Sequence, residues 1–330
     1  MVLLALLAAG KPVSAEQVLL RHKFFPPRDL VYDFWVSATA TVSGSALAGA
    51  GQQQKQSGQQ IVQQTVNGRL AARIESVDSH GNGTLTFKLG RLGMETTVKG
   101  QSTHMTLDPA RGIIQANGQI IALGELQQVL CWIQTCKLTI SPRGKVLIVP
   151  APVTAPTPTL RRVPLPLLSA VHHWQRLLEA IPPWLPEQPV RVGDKWGMNI
   201  GIPTRGGSAG QPAHIGVHYT LERIGEIDGD RIARIAFQGA VAYSDVSIPV
   251  PRGATQRTPA GSIQLIIGQH LAGQLYFNLD NGQLHSARGD GTVTVQLQRS
   301  QRQQSQASPP PVPGLHARLS IHFEVFPGKG

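Results

Sequence analysis

The chain has 330 residues, enough for one large domain or two ordinary ones with a sizeable core in either case. Charged residues make up 15%, well below the roughly 25% usual in soluble proteins, so Gln, Ser, Thr and Asn must carry the polar surface, a balance that suits strands better than solvated helices. The net charge is +11, but its densest spots, Arg161-Arg162 and the pair Arg299 and Arg302, lack the interleaved aromatics of a nucleic-acid groove; an anionic lipid or an envelope polyanion stays open as a partner for a basic surface.

Residues 2–10 form an apolar run of signal-peptide length, and Val13-Ser14-Ala15 offers short residues at a cleavage position. Residues 1–15 therefore read as a signal peptide cut after Ala15. The run departs from the usual pattern because no Lys or Arg precedes it, and a buried N-terminal helix or strand is the alternative. No Cys follows for lipid attachment, and no other run of 18 apolar residues suggests a transmembrane segment in the mature chain. The expected location is periplasmic or extracellular.

Along the mature chain, residues 51–60 are Gln-rich and polar, and Ser79-His80-Gly81-Asn82-Gly83 marks a turn between strands. Over 120–133 the apolar residues Leu123, Leu126, Val129, Leu130 and Ile133 recur at steps of three and four, which predicts a helix. Cys131 and Cys136 are the only cysteines. In an exported chain the pair favours a disulfide across a turn, with buried free thiols as the alternative; the isolated C-x4-C spacing does not suit zinc.

Leu138-Thr139-Ile140, the turn at Ser141-Pro142-Arg143-Gly144, and residues 146–149 predict a hairpin. Residues 149–166 carry six prolines and read as an extended linker. Leu167, Leu168, Val171, Trp174, Leu177, Leu178 and Ile181 predict a second helix over 165–181, stopped by Pro182-Pro183. Asp228-Gly229-Asp230 marks another hairpin, and Asp280-Asn281-Gly282 follows the alternating Leu275, Phe277 and Leu279. Val293, Val295 and Leu297, then Leu315 to Val325, alternate with polar residues as strands with one buried face do.

These elements predict a mainly β fold: large antiparallel curved sheets, half-barrel-like by analogy, with two packed α-helices. The expected organisation is an N-terminal β half over 16–149, a Pro-rich linker and helix over 150–185, and a C-terminal β half over 186–330. The halves repeat landmarks in the same order. Arg73-Ile74-x-x-Val77-Asp78 matches Arg223-Ile224-x-x-Ile227-Asp228, Leu107-Asp108 matches Leu279-Asp280, and Asp29-Leu30-Val31-Tyr32 resembles Asp194-Lys195-Trp196, which suggests a duplication.

Leu185-Pro186-Glu187-Gln188-Pro189-Val190-Arg191-Val192-Gly193-Asp194-Lys195-Trp196 resembles an LPxxPVxVGDxW signature found in a family of exported bacterial proteins of unknown function. The hairpins at Ile140–Val146 and Asp280–Gly282 fit the same proteins. The resemblance implies export and a shared fold, and it transfers no catalytic residue. Physically, Gly193-Asp194 makes a turn before a strand and Trp196 buries a ring at its start.

Catalytic motifs are weak. Gly206-Gly207-Ser208-Ala209-Gly210 matches G-x-S-x-G but lacks the strand before and the helix after. His214 and His218 sit on a strand about 13 Å apart, too far for one metal, and His172-His173 diverge on a helix. The carboxylates Asp78, Asp228 and Asp280 belong to turns. No cofactor and no metal is expected. The reading is a non-enzymatic binder of a lipid or other amphiphile, or of an envelope partner; the alternative is an enzyme acting on an envelope polymer. Export is checked by sequencing the N-terminus of the mature protein, which is expected to begin at Glu16; retention of Met1 on a protein confined to the cytoplasm would refute it.

Overall fold

The structure, a computed structural model, describes residues 16–43, 60–122, 137–148, 183–202, 213–249, 262–300 and 315–328. The N-terminal part contributes β1 (Arg28–Ser43), β2 (Gln60–Val77), β3 (Gly83–Val98), β4 (Gln101–Asp108), β5 (Ile113–Ala116), β6 (Gln119–Ala122), β7 (Lys137–Ile140) and β8 (Val146–Ile148). The C-terminal part contributes β9 (Lys195–Ile202), β10 (Ala213–Ile227), β11 (Asp230–Pro249), β12 (Ser262–Asn278), β13 (Gln283–Ser300) and β14 (Leu315–Pro327). All 14 strands belong to one antiparallel open sheet, in the order β6-β5-β4-β3-β2-β1-β14-β13-β12-β11-β10-β9, with the β7–β8 hairpin branching from β3. Two six-stranded meanders, β1–β6 and β9–β14, are thus joined by the pairing of the first strand with the last, from Tyr32↔Pro327 to Ser43↔His316.

Short turns over 78–82, 141–144, 228–229 and 279–282 gather at one end of the sheet, while Lys99-Gly100 and Asn117-Gly118 turn toward the other. Lys99-Gly100, Asn117-Gly118 and Asp228-Gly229 each place two successive residues at positive φ, as two-residue hairpin turns require. Asn117-Gly118 explains a difference from the sequence reading. No helix occurs among the described residues. Where the helix over 120–133 was expected to begin, the turn at 117–118 sends the chain back as β6, and Ile114 pairs with Ile121. Local turn chemistry prevails over the helical spacing at that point. Residues 123–133 and the second expected helix, 165–181, lie outside the described residues, as do Cys131 and Cys136. The expected hairpins at 138–149, 228–230 and 280–282 are present.

Alternation gives the sheet one apolar face. On β1, Leu30, Tyr32, Phe34, Val36, Ala38, Ala40 and Val42 point to it, and Asp33, Trp35, Ser37 and Thr39 point away. The sheet rolls toward the apolar side. Phe237 on β11 and Phe323 on β14 are three strand spacings apart, ~14 Å if the sheet were flat, yet their ring centroids are 6.2 Å apart. Glycines make room for this approach. A Cβ on Gly273 would overlap Arg288 O and the Phe237 ring, and one on Gly289 would sit 2.8 Å from the Phe323 ring. Aromatic rings laid over strand glycines are a recognised device for curving sheets.

The buried core divides into two clusters near the short turns. One holds Leu221, Ile235, Leu275, Phe277 and Ala287 of the C-terminal meander; the other holds Leu70, Ile74, Leu85 and Phe87 of the N-terminal meander with Leu138 of β7. Gly273→Ala is expected to cost about 1–3 kcal/mol because backbone and a packed ring must shift. Gly216→Ala, where a Cβ would meet nothing closer than 3.5 Å, is expected to change stability by less than about 1 kcal/mol. Chemical denaturation of the two variants checks the contrast.

Candidate functional site: the apolar face and its closed base

At the turn end the apolar face is closed by a strap, residues 16–25, and by residues 183–190. Val18 forms a two-way backbone bridge with Val190. His22 N donates to Pro142 O at 2.7 Å, and Lys23 N donates to Gly282 O at 3.2 Å. The Lys23 ammonium donates to Leu279 O and Asp280 O. The next residue, Phe24, lays its ring against Gly83. Lys23 and Phe24 thereby touch turns of both meanders, which a flat sheet would hold at least ~14 Å apart. Arg21 donates to Leu20 O, Pro186 O and Glu187 O, and Arg143 pairs with Glu187 while lying 5.9 Å from the Trp184 ring centroid.

His22 is at the centre of this closure. Its ring stacks on Phe24 and meets Phe277 edge-on at 5.3 Å. Nε2 lies 3.4 Å from Pro183 O. Burial among these groups pushes the imidazole pKa down to about 4. Tyr32 is half-buried on this face; its hydroxyl donates to Leu284 O, and desolvation pushes its pKa up to about 12.

The turn of the LPxxPVxVGDxW segment sits beside the base. Gly193 adopts φ 95° and its N–H donates to Leu221 O. The Asp194 carboxylate accepts from Arg191 N at 2.8 Å, closing the turn. Trp196 follows on β9, stacks on Tyr219 at 5.7 Å, and donates from Nε1 to Trp184 O at 2.7 Å. The expected turn and packed ring are present, but the ring is half-buried rather than enclosed, because β9 is the last strand of the sheet. Leu185 of the same segment is fully buried.

Away from the base, the apolar rows continue without a described cover. Val36, Ala38, Ala40, Val66, Leu319 and Ile321 are all half-buried. His214 and His218 both lie on β10. Asp78 caps its own turn, its Oδ1 accepting from His80 N and Asn82 N, whereas Asp280 Oδ2 accepts from Arg231 N of the neighbouring hairpin and Asn278 Oδ1 caps the 278–282 turn. The G-x-S-x-G stretch 206–210 and His172-His173 lie outside the described residues. No group of three or more His, Cys, Asp or Glu among the described residues is placed to hold a metal ion. No helix among them is long and apolar enough to cross a membrane. Sequence reasoning missed the strap. Its one legible signal was Phe24-Phe25 next to Arg21-His22-Lys23 in a segment with no strand or helix pattern. The sequence matches no protein-family model and no curated protein.

The half-buried His22 makes stability pH-dependent. Its folded pKa of about 4 lies below the ordinary 6.5, so the neutral ring is favoured by folding. That contribution is fully present above pH 6.5 and is lost as pH falls toward 4, by roughly 3 kcal/mol. Melting curves from pH 7 to pH 4 are expected to drop more steeply for the native chain than for His22→Leu.

Proposed function

We propose that the protein is an exported, non-enzymatic binder that takes up an apolar or amphiphilic ligand along the apolar face of its rolled sheet. The observation that carries this reading is the division of that face. Near the short turns it is packed by the strap and residues 183–190, whereas the rows of Val36, Ala38 and Ala40 on β1 and of Leu319 and Ile321 on β14 stay half-buried. A concave apolar surface closed at one end suits an acyl chain or a similar hydrophobic group better than it suits water.

The architecture behind this proposal is a half-barrel of the lipoprotein-carrier type, by analogy alone. Duplication supports it. The repeated Arg-Ile-x-x-Val/Ile-Asp landmarks end β2 and β10, the second strands of the two meanders. The Leu107-Asp108 and Leu279-Asp280 landmarks follow the same order, at the ends of the fourth strands. The likeness of the Leu185–Trp196 segment to an exported family and the apolar residues 2–10 support location in the envelope or outside the cell.

Native mass spectrometry of gently extracted protein tests the reading. A mass increment that collapses to a lipid or other amphiphile on activation is expected. Ala38→Trp, which fills the face while leaving the base intact, is expected to reduce that increment at an unchanged melting temperature. A clean chain mass, before and after incubation with phospholipid vesicles, would mean that the chain covers its own apolar face and would refute ligand binding.

A further inference from the structure

The opposite face of the sheet is polar, and its side chains are unevenly chosen. Most positions carry Ser, Thr, Gln or Gly, but one band running across the strands carries rings and planar hydrogen-bonding groups. Trp35 on β1 stands at its centre. The register places Asn67 of β2 on one side of it and Glu324 of β14 on the other. His322 meets the indole edge-on at 5.5 Å. Phe326, 43% exposed although it is a large apolar ring, lies diagonally across from Trp35, opposite Asp33.

Beside Trp35 the surface sinks into a shallow depression lined by Asp33, Asn67, Arg69, Arg91 and Phe326. The bulge of β3 against β2 and two glycines create it. Gly90 faces Arg69 and Gly93 faces Asn67, so at those two positions β3 presents no side chain, and Arg91 is its side chain in the depression. The band continues from Glu324 to Arg288 on β13, then to Gln274 on β12 and to the Arg234–Glu222 ion pair across β11 and β10. From β2 to β11 it crosses six strands, ~24 Å at ordinary strand spacing.

Charge decides what this band can hold. Three of its arginines are paired within it: Arg69 with Asp33 at 2.7 Å, Arg234 with Glu222 at 2.9 Å, and Arg288 with the Gln274 side-chain oxygen Oε1 at 3.0 Å. His322 is held between Asp290 at 2.7 Å and Glu324 at 3.5 Å. With Arg91, four guanidinium groups balance four carboxylates. A polyanion meets no surplus of positive charge here, and a purely apolar ligand would strand these donors and acceptors. A neutral chain with flat C–H faces and hydroxyls around its edges satisfies both requirements. The ring of Trp35 meets the C–H face, and Asn67, Glu324 and Asp33 meet the hydroxyls.

We propose that this band is a glycan-binding site, with Trp35 as the stacking platform for an extended β-linked neutral oligosaccharide. The site is independent of the ligand proposed for the apolar face, because the two occupy opposite sides of the same sheet. Isothermal titration of the full mature chain with hexa-N-acetylchitohexaose and with cellohexaose tests it. Saturable binding of at least one hexasaccharide is expected, weakened about tenfold or more by Trp35→Ala. Asn67→Ala, a smaller change at the other wall, is expected to weaken binding in the same direction, with melting temperature as the control for folding. Absence of saturable binding to both sugars, as a protein partner for this band would give, would overturn the proposal. So would affinity unchanged in Asn67→Ala together with a folded Trp35→Ala.

Discussion

Among the described residues the apolar face of the sheet meets no second layer of sheet, so the sheet buries that face by rolling onto it. Every feature of this structure depends on how far that roll is completed. At the turn end, Phe237 and Phe323 come together over Gly273 and Gly289, and the strap ties the turns of both meanders through adjacent residues Lys23 and Phe24. The hydrogen bonds there are mostly from backbone to backbone or from a cationic side chain to a carbonyl, so the closure is specific in register as well as apolar. His22 is the most exacting member of this closure, since it must remain neutral among Phe24, Phe277 and Pro183.

Rolling also separates two chemistries. Strand alternation sends Phe34, Val36 and Ala38 to the inside and Asp33, Trp35 and Ser37 to the outside of the same strand. The inner face is apolar and graded, from fully buried Leu221, Ile235 and Phe277 at the base to half-buried rows beyond. The outer face is polar and internally charge-paired. One set of strands can therefore serve an amphiphile on one side and a hydroxyl-rich chain on the other without either site disturbing the other.

The joining of β1 to β14 gives the halves a common fate. Twelve residue pairs, from Tyr32 to Ser43 on β1, match the last strand, so neither meander completes its sheet alone. Loop-closure entropy makes such a pairing between the two ends of the chain slow to form. Once formed, it holds the Trp35, Glu324 and His322 side chains in one surface although they lie almost 300 positions apart in the chain.

Much of the fold was legible in the sequence because strand periodicity and turn chemistry are local. The alternation in residues 315–325, the Asp280-Asn281-Gly282 turn and the Gly193-Asp194 turn all act within a few residues, and each is where those residues place it. The expected helix start at Ile120 failed for an equally local reason: Asn117-Gly118, at positive φ, outweighs an apolar spacing that a strand can also satisfy. Local residue patterns thus specify a mainly antiparallel β chain with an apolar and a polar face and most of its reversals. That all 14 described strands share one sheet, that β1 pairs with β14, that residues 16–25 close the base, and that Trp35 meets His322 follow only from the folded chain. Those depend on contacts between distant segments, and a backbone hydrogen bond or a ring contact leaves no periodic mark on the chain that makes it.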